Sequence, residues 1–90
     1  MKVNLLLENI NARCRSSISD VTESQVLLMC REHLNELEHQ VVVCKYTLGL
    51  TSAEAAKRLC TAKSRVDNAY ITALEKLGKL LQEVEDGSRV

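Results

Sequence analysis

Phe, Trp and Pro are absent from this sequence of 90 residues, and only three Gly and two Tyr are present. A β-sandwich or a β-barrel needs many tight turns, which glycine and proline usually form, so this composition argues against both. Without large aromatic rings the hydrophobic core has to be aliphatic, and an apolar fraction of 46% is enough to form one. The length fits one domain and hardly more.

No charge of either sign is in excess, because 12 Lys and Arg side chains balance 12 Asp and Glu side chains. A uniformly basic surface that binds nucleic acid by bulk charge is therefore excluded, and so is a disordered tail of high net charge. No apolar run approaches the roughly 20 residues of a membrane span. The apolar stretch in residues 1–8 is too short for a signal peptide. We expect a cytoplasmic protein with no membrane partner.

The four cysteines show no spacing typical of a metal site or a redox pair. They are Cys14, Cys30, Cys44 and Cys60. Each lies beside aliphatic residues in a helical pattern, which predicts small buried or half-buried thiols. His33 and His39 complete no zinc spacing, and no Ser/His/Asp order or Gly-rich phosphate loop is present. We therefore expect no enzyme, no metal and no cofactor.

Hydrophobic periodicity predicts five helices. The first carries its apolar residues at helical spacing: Val3, Leu6, Leu7, Ile10 and Cys14. Residues 15–20 contain three serines and form a short connection. The second helix begins near residues 20–23, where Asp20 and Glu23 resemble an N-cap residue and its reciprocal partner. The third begins near Asn35 and ends at Gly49, a C-cap residue.

The start of the fourth helix is the strongest local signal in the chain. Thr51 and Glu54 are the two ends of a complete capping box. The helix is short, stops near Cys60, and has small residues on its buried side, which let another helix approach closely. We expect Ala56 to face Val66 of the next helix across the turn.

The fifth helix is long, from about residue 63 to residue 84, and its apolar residues recur at intervals of three and four. They are Val66, Tyr70, Ala73, Leu77, Leu80 and Val84, with Leu74 and Leu81 beside them. This spacing is a heptad seam, although its first half also fits an ordinary core-facing stripe. The end of this seam is one apolar surface and the first helix is another. A monomer of 90 residues would struggle to cover both, so we expect a homodimer. The expected interface residues are Leu6, Leu7, Ile10, Leu77, Leu80, Leu81 and Val84.

A short helix, a three-residue turn and a longer helix form a helix-turn-helix pattern. A more specific pattern surrounds it. This pattern consists of Lys45-Tyr46, Gly49-Leu50-Thr51, Glu54-Ala55-Ala56, Leu59, and the inward-facing Val66, Ala73 and Leu77. On these residues, positions 34–77 resemble region four of bacterial sigma factors and the related LuxR-type domains, without a gap. Phage antitermination proteins of the Q type carry a similar motif. The resemblance implies an all-α helix-turn-helix domain that binds DNA and regulates transcription.

Three turn positions depart from the family pattern. Cys60 stands where the family usually has Gly, and a side chain with positive φ costs about 1–2 kcal/mol. Thr61 stands in place of an aliphatic residue, and Ala62 in place of the capping Ser, whose loss costs about 1 kcal/mol. Thr61 and Ser64 are alternative caps, which would move the helix start by a residue or two.

The positive charge is concentrated at the motif. Residues 51–79 contain six basic and three acidic side chains, whereas residues 1–50 and 80–90 each have a small acidic surplus. On the last helix, the side opposite the apolar stripe carries the residues expected to read bases: Ser64, Arg65, Asn68 and Thr72. The residues expected to contact phosphate are Thr51, Ser52, Lys57, Arg58 and Lys63. Asp67 is either a base contact or a first-turn acid.

We therefore interpret the chain as a sequence-specific regulator of transcription that binds double-stranded DNA. Residues 34–84 form the helix-turn-helix domain, residues 1–33 form helices for dimerisation or partner contact, and residues 85–90 form a flexible tail. The alternative is a module that docks on RNA polymerase or a sigma factor, as antitermination and anti-sigma proteins do, with weak or no DNA contact. A purely structural helical bundle is a third interpretation, which leaves the resemblance unexplained.

Overall fold

The structure, a computed structural model, describes residues 2–18 and 21–87, with side chains up to residue 83. Regular structure in these ranges is α-helical: α1 (Val3–Cys14), α2 (Glu23–His33), α3 (Glu36–Tyr46), α4 (Ser52–Arg58) and α5 (Lys63–Gly87). The predicted all-α class is confirmed. The expected flexible tail covered residues 85–90, but α5 continues to Gly87 and includes its first three residues. Residues 88–90 lie outside the described ranges. No helix in the described ranges has the length and hydropathy to cross a membrane.

Each of α2, α3 and α4 begins with a reciprocal capping box. The pairs are Thr22 with Gln25, Asn35 with Glu38, and Thr51 with Glu54. In each pair the first side chain accepts a hydrogen bond from the backbone N–H of the second residue, whose own side chain accepts from the N–H of the first. Two backbone donors that a helix start leaves unpaired are satisfied in this way. The box predicted at Thr51 and Glu54 is confirmed.

The start of α2 differs from the prediction. The helix begins at Glu23, so its cap is Thr22 and the reciprocal partner is Gln25. Gln25 provides the same kind of side-chain oxygen as a glutamate. The capping-box spacing of three residues therefore fits both Asp20 with Glu23 and Thr22 with Gln25. Asp20, the predicted cap, lies outside the described residues.

The end of α3 also differs from the prediction, because the helix stops at Tyr46, before Gly49 is reached. Gly49 has a φ of +69°, in the left-handed region that glycine adopts without strain. This conformation turns the chain, and the following N–H, of Leu50, donates to the carbonyl of Cys44 at 2.9 Å. Gly49 therefore reverses the chain towards α4 without being the residue that caps α3.

The long helix α5 is the centre of the fold, since each of the other four helices packs against it. The larger core cluster joins α1, α2, α3 and α5. Its fully buried side chains include Leu6, Ile10, Val26, Val42 and Leu77. A smaller cluster joins α3, α4 and the first turns of α5.

Side chains of α1 pack closely against the backbone of α5 at Gly78. A methyl group added there would lie 2.4 Å from Cys14 Sγ and 3.2 Å from Ile10 Cγ2. Glycine inside a helix is unfavourable by roughly 1 kcal/mol relative to alanine. Its presence in α5 therefore follows from the space that α1 occupies.

Five of the seven residues expected at a dimer interface are already covered within the chain. Leu6, Leu7, Ile10, Leu77 and Leu81 are all buried inside a single chain. The physical reason is that α1 folds back onto α5 of its own chain, so the two apolar surfaces cover each other. Leu80 is half-buried, and the side chain of Val84 lies outside the described side chains.

Glu38, at the start of α3, is a buried carboxylate that the sequence analysis did not single out. Its side chain is 4% exposed, and its Oε1 accepts from Lys76 Nζ at 2.8 Å and from the Asn35 N–H at 3.0 Å. A buried carboxylate needs such partners, because an unpaired charge in the interior is strongly unfavourable. The capping residue of α3 is thereby connected to the middle of α5.

Two tyrosines connect α1, α3 and α5. The hydroxyl groups of Tyr46 and Tyr70 share a hydrogen bond, and Asn9 Nδ2 donates to the Tyr46 hydroxyl at 2.8 Å. Lys45 Nζ lies 4.6 Å from the centre of the Tyr70 ring, a cation–π contact. Burial raises the pKa of Tyr46 above its ordinary range, so this hydroxyl remains neutral in the core.

Candidate nucleic-acid interface

The turn between α4 and α5 has the hydrogen bonds of a Schellman motif. The Thr61 N–H donates to the Ala56 carbonyl at 3.0 Å, and the Cys60 N–H donates to the Lys57 carbonyl at 3.3 Å. Cys60 itself has a φ of +54°, the left-handed conformation that glycine adopts most easily. The turn therefore forms with a cysteine at the position where the family resembled usually has Gly.

The cysteines are only partly as expected. Cys30 and Cys44 are buried and Cys14 is half-buried, but Cys60 is exposed. The left-handed backbone of the turn places Cys60 beyond the last packed residues of α4, which corrects the expectation of a buried or half-buried thiol. Burial raises the pKa of the Cys30 thiol to about 11, so this group is neutral and unreactive.

The helix α5 begins at Lys63, directly after Ala62. The Ala62 carbonyl accepts from the N–H groups of Arg65 and Val66 at 3.1 and 3.2 Å. The absence of a capping hydroxyl at Ala62 has therefore not moved the helix start, and neither alternative cap has displaced it.

The contact between α4 and α5 is built from small residues. Ala55 and Val66 are fully buried and Ala56 is 6% exposed, and all three belong to one core cluster with Val41 and Ala69. The prediction that Ala56 lies against the start of α5 is consistent with this shared cluster. Because small side chains let the helices approach closely, α4 holds the first two turns of α5 in place.

All four residues predicted to read bases are exposed. They are Ser64, Arg65, Asn68 and Thr72. At about 100° per residue they lie within roughly 100° of arc on α5. The buried residues Val66 and Ala73 lie on the opposite side of the helix, so the predicted division of α5 into an inner and an outer face holds for these residues.

One exposed residue on this side of α5 was missed by the sequence analysis. Ile71 is 36% exposed and lies at the edge of this arc, about 20° from Ser64 on the side away from Arg65. Its hydrophobic character gave no signal, because an isoleucine in a helix is normally assigned to the core. We refer to the five residues Ser64, Arg65, Asn68, Ile71 and Thr72 as the reading face.

The residues predicted to contact phosphate are exposed except Ser52, which is half-buried. Thr51 differs in its hydrogen bonds from what was expected. Its N–H donates to Glu54 Oε1 at 3.1 Å, so this group is already used by the capping box. Hydrogen bonds from Thr51 lower the pKa of Glu54, which is therefore ionised at neutral pH. A phosphate at this helix start would meet a carboxylate, and of the two donors of Thr51 only its hydroxyl proton remains.

Two of the basic side chains around the motif are held in ion pairs. Lys63 Nζ lies 3.7 Å from Asp67 Oδ2, one turn further along α5. Lys76 is paired with the buried Glu38. Within the described residues, Lys57 and Arg65 form no such pair. The pair with Lys63 also makes Asp67 a charge partner within its own helix.

A second exposed surface lies on α2, α3 and α4. Leu27 and Leu28 are 38% and 53% exposed on α2. A groove of about 480 Å³ separates α3 from the end of α4. Its lining is half apolar and half polar: Val43, Cys44, Leu48 and Leu59, with Glu36, His39, Gln40 and Arg58.

The histidines do not form a site with other ligands. His33 is exposed and His39 is half-buried. Within the described residues, no three His, Cys, Asp or Glu side chains come close enough together to hold a metal ion.

No family model, no curated protein and no solved structure matches this chain. The resemblance to region four of sigma factors stays a prediction from the residues that carry it.

Proposed function

We propose that this protein is a sequence-specific DNA-binding regulator of transcription that inserts the first turns of α5 into the major groove. The observation that carries this proposal is the reading face, a set of exposed side chains at the start of a helix whose opposite side is packed against α4. Hydrogen-bonding side chains without internal partners are the groups that recognise base edges. In this proposal the protein acts in the cytoplasm.

Two side chains give the reading face its base preference. Arg65 is long, charged and exposed, so it suits the O6 and N7 acceptors of guanine, which it binds with two hydrogen bonds. Asn68 is exposed one turn later and suits N6 and N7 of adenine in the same way. Lys57, Arg58 and Lys63 supply contacts with phosphate, which fix the position of the helix but carry no sequence information.

The experiment that tests the proposal is selection of DNA from a random-sequence pool by the purified protein. Enrichment of a short motif supports it, and affinity for that motif is then measured for the wild type and for Arg65→Ala and Asn68→Ala. Failure to enrich any motif would contradict the proposal. Arg15→Ala is the matched control, because Arg15 is an exposed arginine directly after α1 and belongs to neither the reading face nor α2.

We further propose that the protein binds DNA as a homodimer, because one helix-turn-helix makes too few base contacts for high specificity and paired half-sites double them. The apolar surfaces of α1 and α5 are used inside the chain, so the dimer needs another contact. The exposed Leu27 and Leu28 of α2 offer one. Burying these leucines against a second copy would remove apolar surface from water.

The second candidate function is docking on RNA polymerase or a sigma factor, and the groove between α3 and α4, with its exposed leucine, favours it. Leu48 at this groove is 46% exposed, as an anchor for a partner helix would be. Purified polymerase and sigma factor, titrated against the labelled protein, test this function. Binding that is lost in Leu48→Asp and retained in Arg65→Ala supports the second candidate over the first.

A further inference from the structure

The reading face contains an apolar component as well as polar groups. Ile71 is exposed on α5 beside residues that suit hydrogen bonding with bases. It contributes nothing to the two core clusters, whose members from this part of α5 are Ala69, Tyr70 and Ala73. Ile71 therefore presents about a third of its surface to solvent, on the side of α5 away from these clusters.

Thr72 presents the same kind of surface once its hydrogen bond is considered. Its Oγ1 donates to the backbone carbonyl of Asn68 at 2.9 Å, one turn earlier in the helix. The hydroxyl proton is therefore used inside α5 and is not free to donate to a base. Since the side chain is exposed, its methyl group and the acceptor lone pairs of Oγ1 are the parts left for a ligand.

We propose that Ile71 and the methyl group of Thr72 contact the C5-methyl group of a thymine in the major groove, next to the base that Asn68 reads. This inference rests on the proposed function and specifies its substrate as thymine-containing B-form DNA. The C5-methyl of thymine is the apolar group that base pairs display in the major groove, and apolar side chains recognise it. An adenine bound by Asn68 is paired with a thymine whose methyl lies in the same groove.

The inference also selects DNA over RNA. Uracil lacks the C5-methyl group, and the major groove of A-form RNA is too deep and narrow for side chains to read. Thr72 takes a role different from the hydrogen bond first expected of it, because its proton already has an acceptor in the helix.

The test replaces each thymine of the selected DNA motif, one at a time, by deoxyuridine, which removes only the methyl group. Dissociation constants are measured by fluorescence anisotropy for the wild type and for Ile71→Ala, Thr72→Ser and Thr72→Val. We expect the wild type to lose about fourfold in affinity at one or two thymines, from the free energy of burying one methyl group. Ile71→Ala should reduce this loss to less than twofold.

The two Thr72 variants separate the methyl group from the hydroxyl group. Thr72→Val keeps a methyl and loses the hydroxyl, so it should remain sensitive to deoxyuridine. Thr72→Ser keeps the hydroxyl and loses the methyl, so its sensitivity should fall. Both positions are exposed, and thermal melting of each variant shows that the fold is retained.

The outcomes distinguish this inference from the proposed function. A protein that enriches no DNA motif overturns both. A selected motif in which every deoxyuridine leaves the affinity unchanged overturns the inference and leaves the proposed function standing. A loss with deoxyuridine that is equally large in the wild type, Ile71→Ala and Thr72→Ser also overturns it, because another residue then contacts the methyl group.

Discussion

Replacing Gly78 by Ala tests whether α1 packs onto α5 of its own chain. On a free helix surface this change stabilises a protein by about 1 kcal/mol, because alanine has the higher helix propensity. Here the new methyl would lie 2.4 Å from Cys14 Sγ, well inside contact distance. Overpacking of this kind costs typically about 1–3 kcal/mol. We therefore expect Gly78→Ala to destabilise the protein by up to about 2 kcal/mol in place of stabilising it.

A double-mutant cycle identifies the contact. Cys14→Ala removes the sulfur and leaves neighbours at 3.2 and 3.3 Å, which need to move by only a few tenths of an ångström. In that background Gly78→Ala should be neutral or stabilising, so the two changes should be coupled by about 1–2 kcal/mol. Urea unfolding followed by circular dichroism, with a reducing agent present, measures each free energy of unfolding.

Gly49→Ala is the matched control for the cycle. No atom lies within 4 Å of the methyl that it would add, but its φ of +69° is unfavourable for alanine. It should cost about 1–2 kcal/mol whether or not Cys14 is present. If Gly78→Ala stabilises the wild type by about 1 kcal/mol, then α1 does not approach α5 at this residue, and the reasoning is refuted.

Four further predictions concern binding, packing and assembly. Arg65→Ala should cost about 1–3 kcal/mol on the selected DNA and less on unrelated DNA, whereas equal losses in an anisotropy titration would mean a phosphate contact only. Lys57→Ala should weaken binding to all sequences together and reduce the slope of log affinity against log salt by about 1, and an unchanged slope contradicts this role. Ala56→Leu should lower the free energy of unfolding by about 1–3 kcal/mol, since it overpacks the contact of α4 with α5, and no change in a urea titration would count against that contact. Leu28→Glu should convert a dimer seen by light scattering into a monomer, with Leu5→Glu, another exposed leucine, as the control, and a wild type that is already monomeric at high concentration contradicts the dimer.

The parts of the fold set by neighbouring residues were predictable from the sequence. The capping box of Thr51 and Glu54 needs only a spacing of three residues, and the inner and outer faces of α5 follow from helical periodicity. The start of α5 at Lys63 also followed from the motif, although Cys60 departs from it. In each case the interacting groups lie within a turn or two of one another.

The partner of each apolar face was not predictable, because periodicity shows that a face is apolar and not what covers it. The leucine pattern of α1 and α5 fits an interface between two chains as well as a contact within one chain. Only the fold shows that these leucines cover each other. Glu38 and Lys76 are 38 positions apart in the sequence, so no local pattern predicts that they form a pair. Ile71 was missed for the opposite reason, since the type of residue suggested a core position that its direction on α5 excludes.

The continuity of α5 has a mechanical consequence. Its 25 residues form one uninterrupted helix of about 37 Å, with the reading face in its first three turns and the Gly78 crossing about two-thirds of the way along it. Such a helix behaves as a lever, in which Arg65 lies about 20 Å from the point where α1 bears on it. A tilt of about 10° there moves Arg65 by roughly 3.4 Å, the rise from one base pair to the next. If α5 reads DNA as we propose, a change in α1 that never touches DNA would alter which base pair Arg65 faces.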